Sequence, residues 1–142
     1  MTHQQIALRR SGIGLIVVGV FFALAALPPL HAVARIFLQV AYWPMQSVPA
    51  ELNVPTPLLI AITGGLTAGL GGMMWALGTY VAPVSAEAAA KVTRMAAWTW
   101  FVTDSTASVL VGAPFNVVLN LSFLGLMLWA SQTRFAGEAV LT

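Results

Sequence analysis

Four long apolar runs dominate the chain and decide what it can become: residues 11–29, 56–81, 88–111 and 115–131. Each approaches or exceeds the length that carries an α-helix across the ~30 Å hydrocarbon core of a bilayer, about 20 residues. In hydrocarbon the backbone polar groups have no water to turn to, so a helix, which satisfies them internally, is the economical solution. Breakers separate the runs: Pro28 and Pro29, Pro83, and the turn Gly112-Ala113-Pro114. Only 7% of residues are charged, against about 25% in soluble domains, too few to coat a globular surface. The expected fold is therefore an all-α integral membrane protein. It forms a four-transmembrane-helix bundle as a single membrane domain over residues 1–142.

The first run imitates a secretory leader, with Arg9 and Arg10 before it and the small residues Ala32 and Ala34 after it. It is longer than the ~7–15 apolar residues of such a leader, so it reads as a first span preceded by a short polar tail. Residues 31–53 differ in character: Arg35, Gln39, Gln46 and Glu51 mix with Ile36, Phe37, Tyr42 and Trp43. Arg35 and Gln39, four apart, give a helix one polar edge, and Tyr42 with Trp43 supplies the aromatic pair favoured at headgroup depth. The segment is expected to be an interfacial helix lying on the bilayer, then a loop; an ordinary connecting loop is the alternative.

The charges set the orientation. In a four-span arrangement Arg9, Arg10, Lys91, Arg94 and Arg134 fall on one side, and Arg35 alone on the other. That positive-inside bias places both termini in the cytoplasm, in what is expected to be a bacterial inner membrane. The basic residues are scattered at helix ends rather than gathered in a patch, so no nucleic acid is expected as a partner. With no cysteine, thiolate catalysis and iron–sulfur ligation are excluded. The two histidines, His3 and His31, stand at opposite ends of the first helix. No metal and no cofactor is expected.

The second span is rich in glycine. Gly65 and Gly69 are four apart, as are Gly64, Ala68, Gly72 and Ala76 in series. Small residues at that spacing let helix backbones approach closely, the usual basis of packing in lipid. Gly64, Gly65, Ala68, Gly69 and Gly72 are thus expected in a helix seam, either within the bundle or between copies.

The last two spans carry the chemistry. Asp104 is the only acidic residue in any of the four runs. It lies eight residues before Gly112, about 12 Å from the turn at 1.5 Å per residue, near the midplane. An ionised group there costs ~2.5–3.5 kcal/mol on insertion scales, so it should be a buried aspartate pointing inward. Thr93, Ala97, Trp100, Asp104, Ser108 and Val111 share one face at helical period. Folding at Gly112 sets Ser108 level with Asn116, and Asp104 level with Asn120. Trp98, Ser105 and Thr106 are candidates to line a small pocket with Trp100.

Two readings are open. The polar residues are an interhelical clamp, or Asp104, Trp100, Ser108, Asn116 and Asn120 form a ligand or proton site. The spacing offers no nucleophile–base pair, phosphate loop or metal set, which points away from an enzyme. The function this favours is a small non-catalytic accessory or structural subunit, partnered by the lipid bilayer and by other membrane chains or itself. The alternatives are a proton-linked small-molecule carrier, a protein binding a lipid or other apolar ligand, and, less favoured, an enzyme acting on such a substrate.

Overall fold

The computed structural model describes residues 1–45, 47, 52–53 and 55–133. They form five α-helices: α1 (His3–Leu24), α2 (His31–Tyr42), α3 (Pro55–Ala76), α4 (Ala86–Leu110) and α5 (Phe115–Ala130). A 3-10 turn (Pro28–Leu30) joins α1 to α2, and a π-helical turn (Leu77–Val81) ends α3. Gln46, Glu51 and Arg134, all used above, lie outside the described residues.

The first helix begins earlier than the apolar run. Thr2 and Gln5 cap it reciprocally: the Gln5 N–H donates to Thr2 Oγ1 at 3.3 Å, and the Thr2 N–H to Gln5 Oε1 at 3.0 Å. Such a capping box satisfies two of the N–H groups that a helix start leaves orphaned, so the stretch expected as a polar tail forms the first turns of α1. Gln4 within it is fully buried, and its Nε2 donates to the Ala86 carbonyl at 2.9 Å. That bond ties the start of α1 to the start of α4. Arg9, Arg10, Lys91 and Arg94 accordingly belong to one end of the fold.

Helix α1 runs antiparallel to α3, along a seam made by glycines seven residues apart on each helix. A Cβ on Gly19 would stand 2.3 Å from the Ala68 nitrogen and 2.6 Å from the Gly64 carbonyl oxygen. One on Gly12 would stand 2.6 Å from the Gly71 oxygen, and the relation is reciprocal from Gly71 to Gly12. The backbones approach closely here and leave no room for a side chain at Gly12, Gly19, Gly64 or Gly71. At the far end Gly78, inside the π turn, lies against Leu8 and the Gln5 carbonyl.

Helix α4 starts on Ser85, whose Oγ accepts the Ala88 N–H at 3.1 Å. Glu87 in the first turn pairs with Lys91 at 2.7 Å, and that hydrogen bond and charge hold its carboxyl below the usual range. The helix stops at Gly112, which takes φ 80°, a conformation that side-chain-bearing residues avoid. The Gly112 N–H reaches Val109 O at 3.1 Å and the Ala113 N–H reaches Ser108 O at 2.8 Å. This pair of bonds is a Schellman motif, and Pro114 then opens α5, where a missing N–H costs nothing.

A core of Leu8, Leu15, Met74, Ala89, Ala97, Leu124 and Met127 fills the charged end of the fold. A smaller cluster of Ala25, Ala34 and Ile60 closes the other. Helix α2 and the residue after it bridge the α1–α3 pair and the α4–α5 hairpin at that second end: Phe37 meets Phe22 of α1 edge-on at 4.8 Å, and Trp43 meets Phe115 of α5 at 5.6 Å. Helix α4 packs along α5, and its main approach to the α3 line is through the π turn. Beyond that turn α3 and α4 leave an open groove, while α1 and α2 still pack against α5.

Two helices, α1 and the stretch Pro55–Val81, are long and apolar enough to cross a membrane. Helix α4, with three charged residues in its first half and Thr, Ser and Asp104 through its second, does not meet the same criterion, and α5, at 16 residues, is too short for it.

Candidate functional site

The hairpin of α4 and α5 brings Asp104, Ser105, Ser108, Asn116 and Asn120 into one network. Asn120 Nδ2 donates to Asp104 Oδ2 at 2.5 Å and to Ser105 Oγ at 3.2 Å. Asn116 Nδ2 donates to the same Asp104 Oδ2 at 3.1 Å and to Ser108 Oγ at 2.9 Å. The register set by the Gly112 turn produces the two level pairs that the spacing implies, and adds two crossed bonds. Ser105, expected as a candidate to line a pocket, is buried and accepts a hydrogen bond from Asn120.

Asp104 is not a buried aspartate. It is half-exposed, and it lines a groove of about 770 Å³ between α3 and α4. Asp104 shares a face of α4 with Ala89, Ala90, Thr93 and Ala97, which are buried; at its level the groove opens beside the helix, α3 contributing Met73 to the lining, and the carboxyl is left uncovered. Both amides bind Oδ2. Oδ1 receives no hydrogen bond among the described residues, and no basic side chain among them pairs with the carboxyl.

Trp100 shares the groove with Asp104, its ring set edge-on to Phe123 at 6.2 Å. Met73 of α3 and Val92, Met95 and Thr103 of α4 complete most of the lining. The lining runs from Val92 to Ala107, about 22 Å of helix at 1.5 Å per residue. Trp98 and Thr106 are exposed elsewhere on α4, and Trp98 pairs with Phe101 instead.

The expected glycine seam is also redrawn. Gly64 and Ala68 lie in it, whereas a Cβ on Gly65, Gly69 or Gly72 would meet nothing within 4 Å. Those three face outward, and the seam is completed by Gly12, Gly19, Gly71 and Gly78. The clue in the sequence was the seven-residue spacing shared by Gly12–Gly19 and Gly64–Gly71–Gly78.

Chemically, the site offers one carboxyl held in a fixed rotamer by two amides, beside an indole and two thioethers. Among the described residues, no three His, Cys, Asp or Glu side chains gather to hold a metal ion. No family model, curated protein or solved structure matches the chain.

Proposed function

We propose that the chain is a multi-pass membrane protein that acts by binding, and that the α3–α4 groove holds an apolar ligand against Asp104. The observation that carries the reading is the placement of the carboxyl: half-exposed, with one oxygen undonated, in a groove of otherwise largely apolar side chains. A purely structural clamp would turn both oxygens inward. A groove of this volume lies within the ~300–1,000 Å³ range of small-molecule sites.

The membrane setting rests on the surface as well as on the two apolar helices. Val17, Leu58, Leu66, Met95, Val102 and Leu110 are all exposed, and soluble proteins rarely show apolar faces of that extent. The exposed Thr63 and Thr67 hydroxyls donate to carbonyls of their own helix, at 2.8 and 2.9 Å, as lipid-facing hydroxyls must. In this reading α1, α3, α4 and α5 each span the bilayer, the charged end faces the cytoplasm, and α2 lies at the opposite interface. The membrane is a bacterial inner membrane. Val84, in the turn before α4, and Val111, at the α4–α5 turn, are well exposed. Val84→Cys will label only from the cytoplasmic side and Val111→Cys only from the other. Labelling of both from one side would remove the four-span arrangement.

Native mass spectrometry of the protein in mild detergent tests the ligand. An apolar molecule will co-purify in fixed stoichiometry and will be lost in Thr103→Trp, which fills the groove. A ligand-free parent, or equal loading of the variant, would overturn the reading. A second reading, the accessory subunit, is favoured by the outward face of Gly65, Gly69 and Gly72, small residues with no partner within this chain; the same spectra would then show a second polypeptide.

A further inference from the structure

We infer that the ligand of the α3–α4 groove is a lipophilic monocation, a protonated amine or quaternary ammonium on an apolar body. The inference rests on the groove being a ligand site and names what that ligand must carry.

Three features converge on a positive charge. Asp104 brings the only acidic group of the four apolar runs to a groove whose lining, among the described residues, holds no basic side chain; Arg9 lies over Trp75, and Lys91 pairs with Glu87. Ionisable groups at such depth pair with an opposite charge or line a path for one. The two amides occupy Oδ2 alone, so Oδ1 remains as an acceptor with its orientation already fixed. Trp100 stands one helical turn before Asp104 on the same groove wall, and indole is the aromatic that best attracts a cation over its face.

The rest of the groove decides the body of the ligand. Met73, Met95 and Val92 are apolar, and the methionine side chains adapt to irregular shapes. One carboxyl balances one charge, so a dication would leave a charge unmatched in hydrocarbon. A lipid amine headgroup is also disfavoured, since Asp104 lies about 12 Å from the turn, counted at 1.5 Å per residue, below the level where headgroups sit.

The test uses the intact protein in nanodiscs and a matched pair of probes. One is an arylalkyl trimethylammonium; the other is its neutral tert-butyl isostere, with carbon in place of nitrogen. Equilibrium dialysis against empty nanodiscs gives the specific binding of each. The cation will bind the protein at least about tenfold more tightly than the isostere, the difference expected of one desolvated ion pair with an indole beside it. That preference will collapse in Asp104→Asn, and will fall severalfold in Trp100→Leu. Elution volume and helicity will confirm that both variants fold; Asp104→Glu, which keeps the charge, will retain the preference if Asp104→Asn does not fold. Equal binding of the two probes would overturn the inference and leave the groove as a neutral-ligand site. Binding of neither would remove the groove reading itself.

Discussion

Gly19→Val will unfold this protein or leave it severely destabilised, and Gly64→Val will do the same. At either position even the first added carbon would stand 2.3 Å from a backbone nitrogen of the facing helix. A side chain can rotate away from an intruder; a helix backbone cannot. Overpacking of side chains typically costs about 1–3 kcal/mol, and this clash, against backbone, should reach or pass the top of that range. Whole domains are stable by only about 5–15 kcal/mol. Gly65→Ala and Gly69→Ala are the matched controls. Nothing lies within 4 Å of a Cβ at either position, so each should be neutral or gain up to about 1 kcal/mol from helix propensity. Thermal unfolding in detergent micelles reads all four. A parent-like midpoint for Gly19→Val would mean that the backbones do not touch. A large loss in Gly65→Ala would mean that this face is packed after all, by a second chain.

The contrast between these glycines also marks how far the sequence alone could be read. Around α3, Gly64, Gly65, Ala68, Gly69, Gly71 and Gly72 offer small residues on several faces. Neighbouring positions differ by about 100° of rotation at 3.6 residues per turn. Which face meets α1 depends on the partner, and Gly12 and Gly19 select the face that shares their seven-residue step. The α4–α5 hairpin was far more legible. Gly112 fixes where the chain turns, so positions equidistant from it must come level, and Asn116 and Asn120 fall where Ser108 and Asp104 need them. The exposure of Asp104 was not legible. A carboxylate in an apolar run is expected to turn inward; Asp104 does share the face of the buried Thr93 and Ala97, and the gap beside α3 leaves it uncovered there. A gap between helices leaves no periodic signal in a chain that is apolar on both sides of it.

Asn120→Leu will destabilise the hairpin by about 2 kcal/mol, and adding Asp104→Leu will restore most of that loss. Interhelical hydrogen bonds between uncharged groups in membranes average only about 0.6 kcal/mol, which would make the single change minor. Asn120, however, donates to a carboxyl and to Ser105 from a buried position, and bonds to charged groups are worth about 1.5–3 kcal/mol. Removing the donor leaves the acceptors in place without it. Removing the donor and the carboxyl together leaves two leucines of similar bulk, while Asn116 keeps its bond to Ser108 at 2.9 Å. Replacing both partners by apolar groups is often nearly neutral, so the pair will show strong coupling in a double-mutant cycle. Additive losses in the two single changes and the double would mean that the Asp104–Asn120 bond contributes nothing to folding. Recovery in the double variant would yield a hairpin that folds without its acid, and any binding that such a protein loses belongs to the carboxyl itself rather than to the helices that carry it.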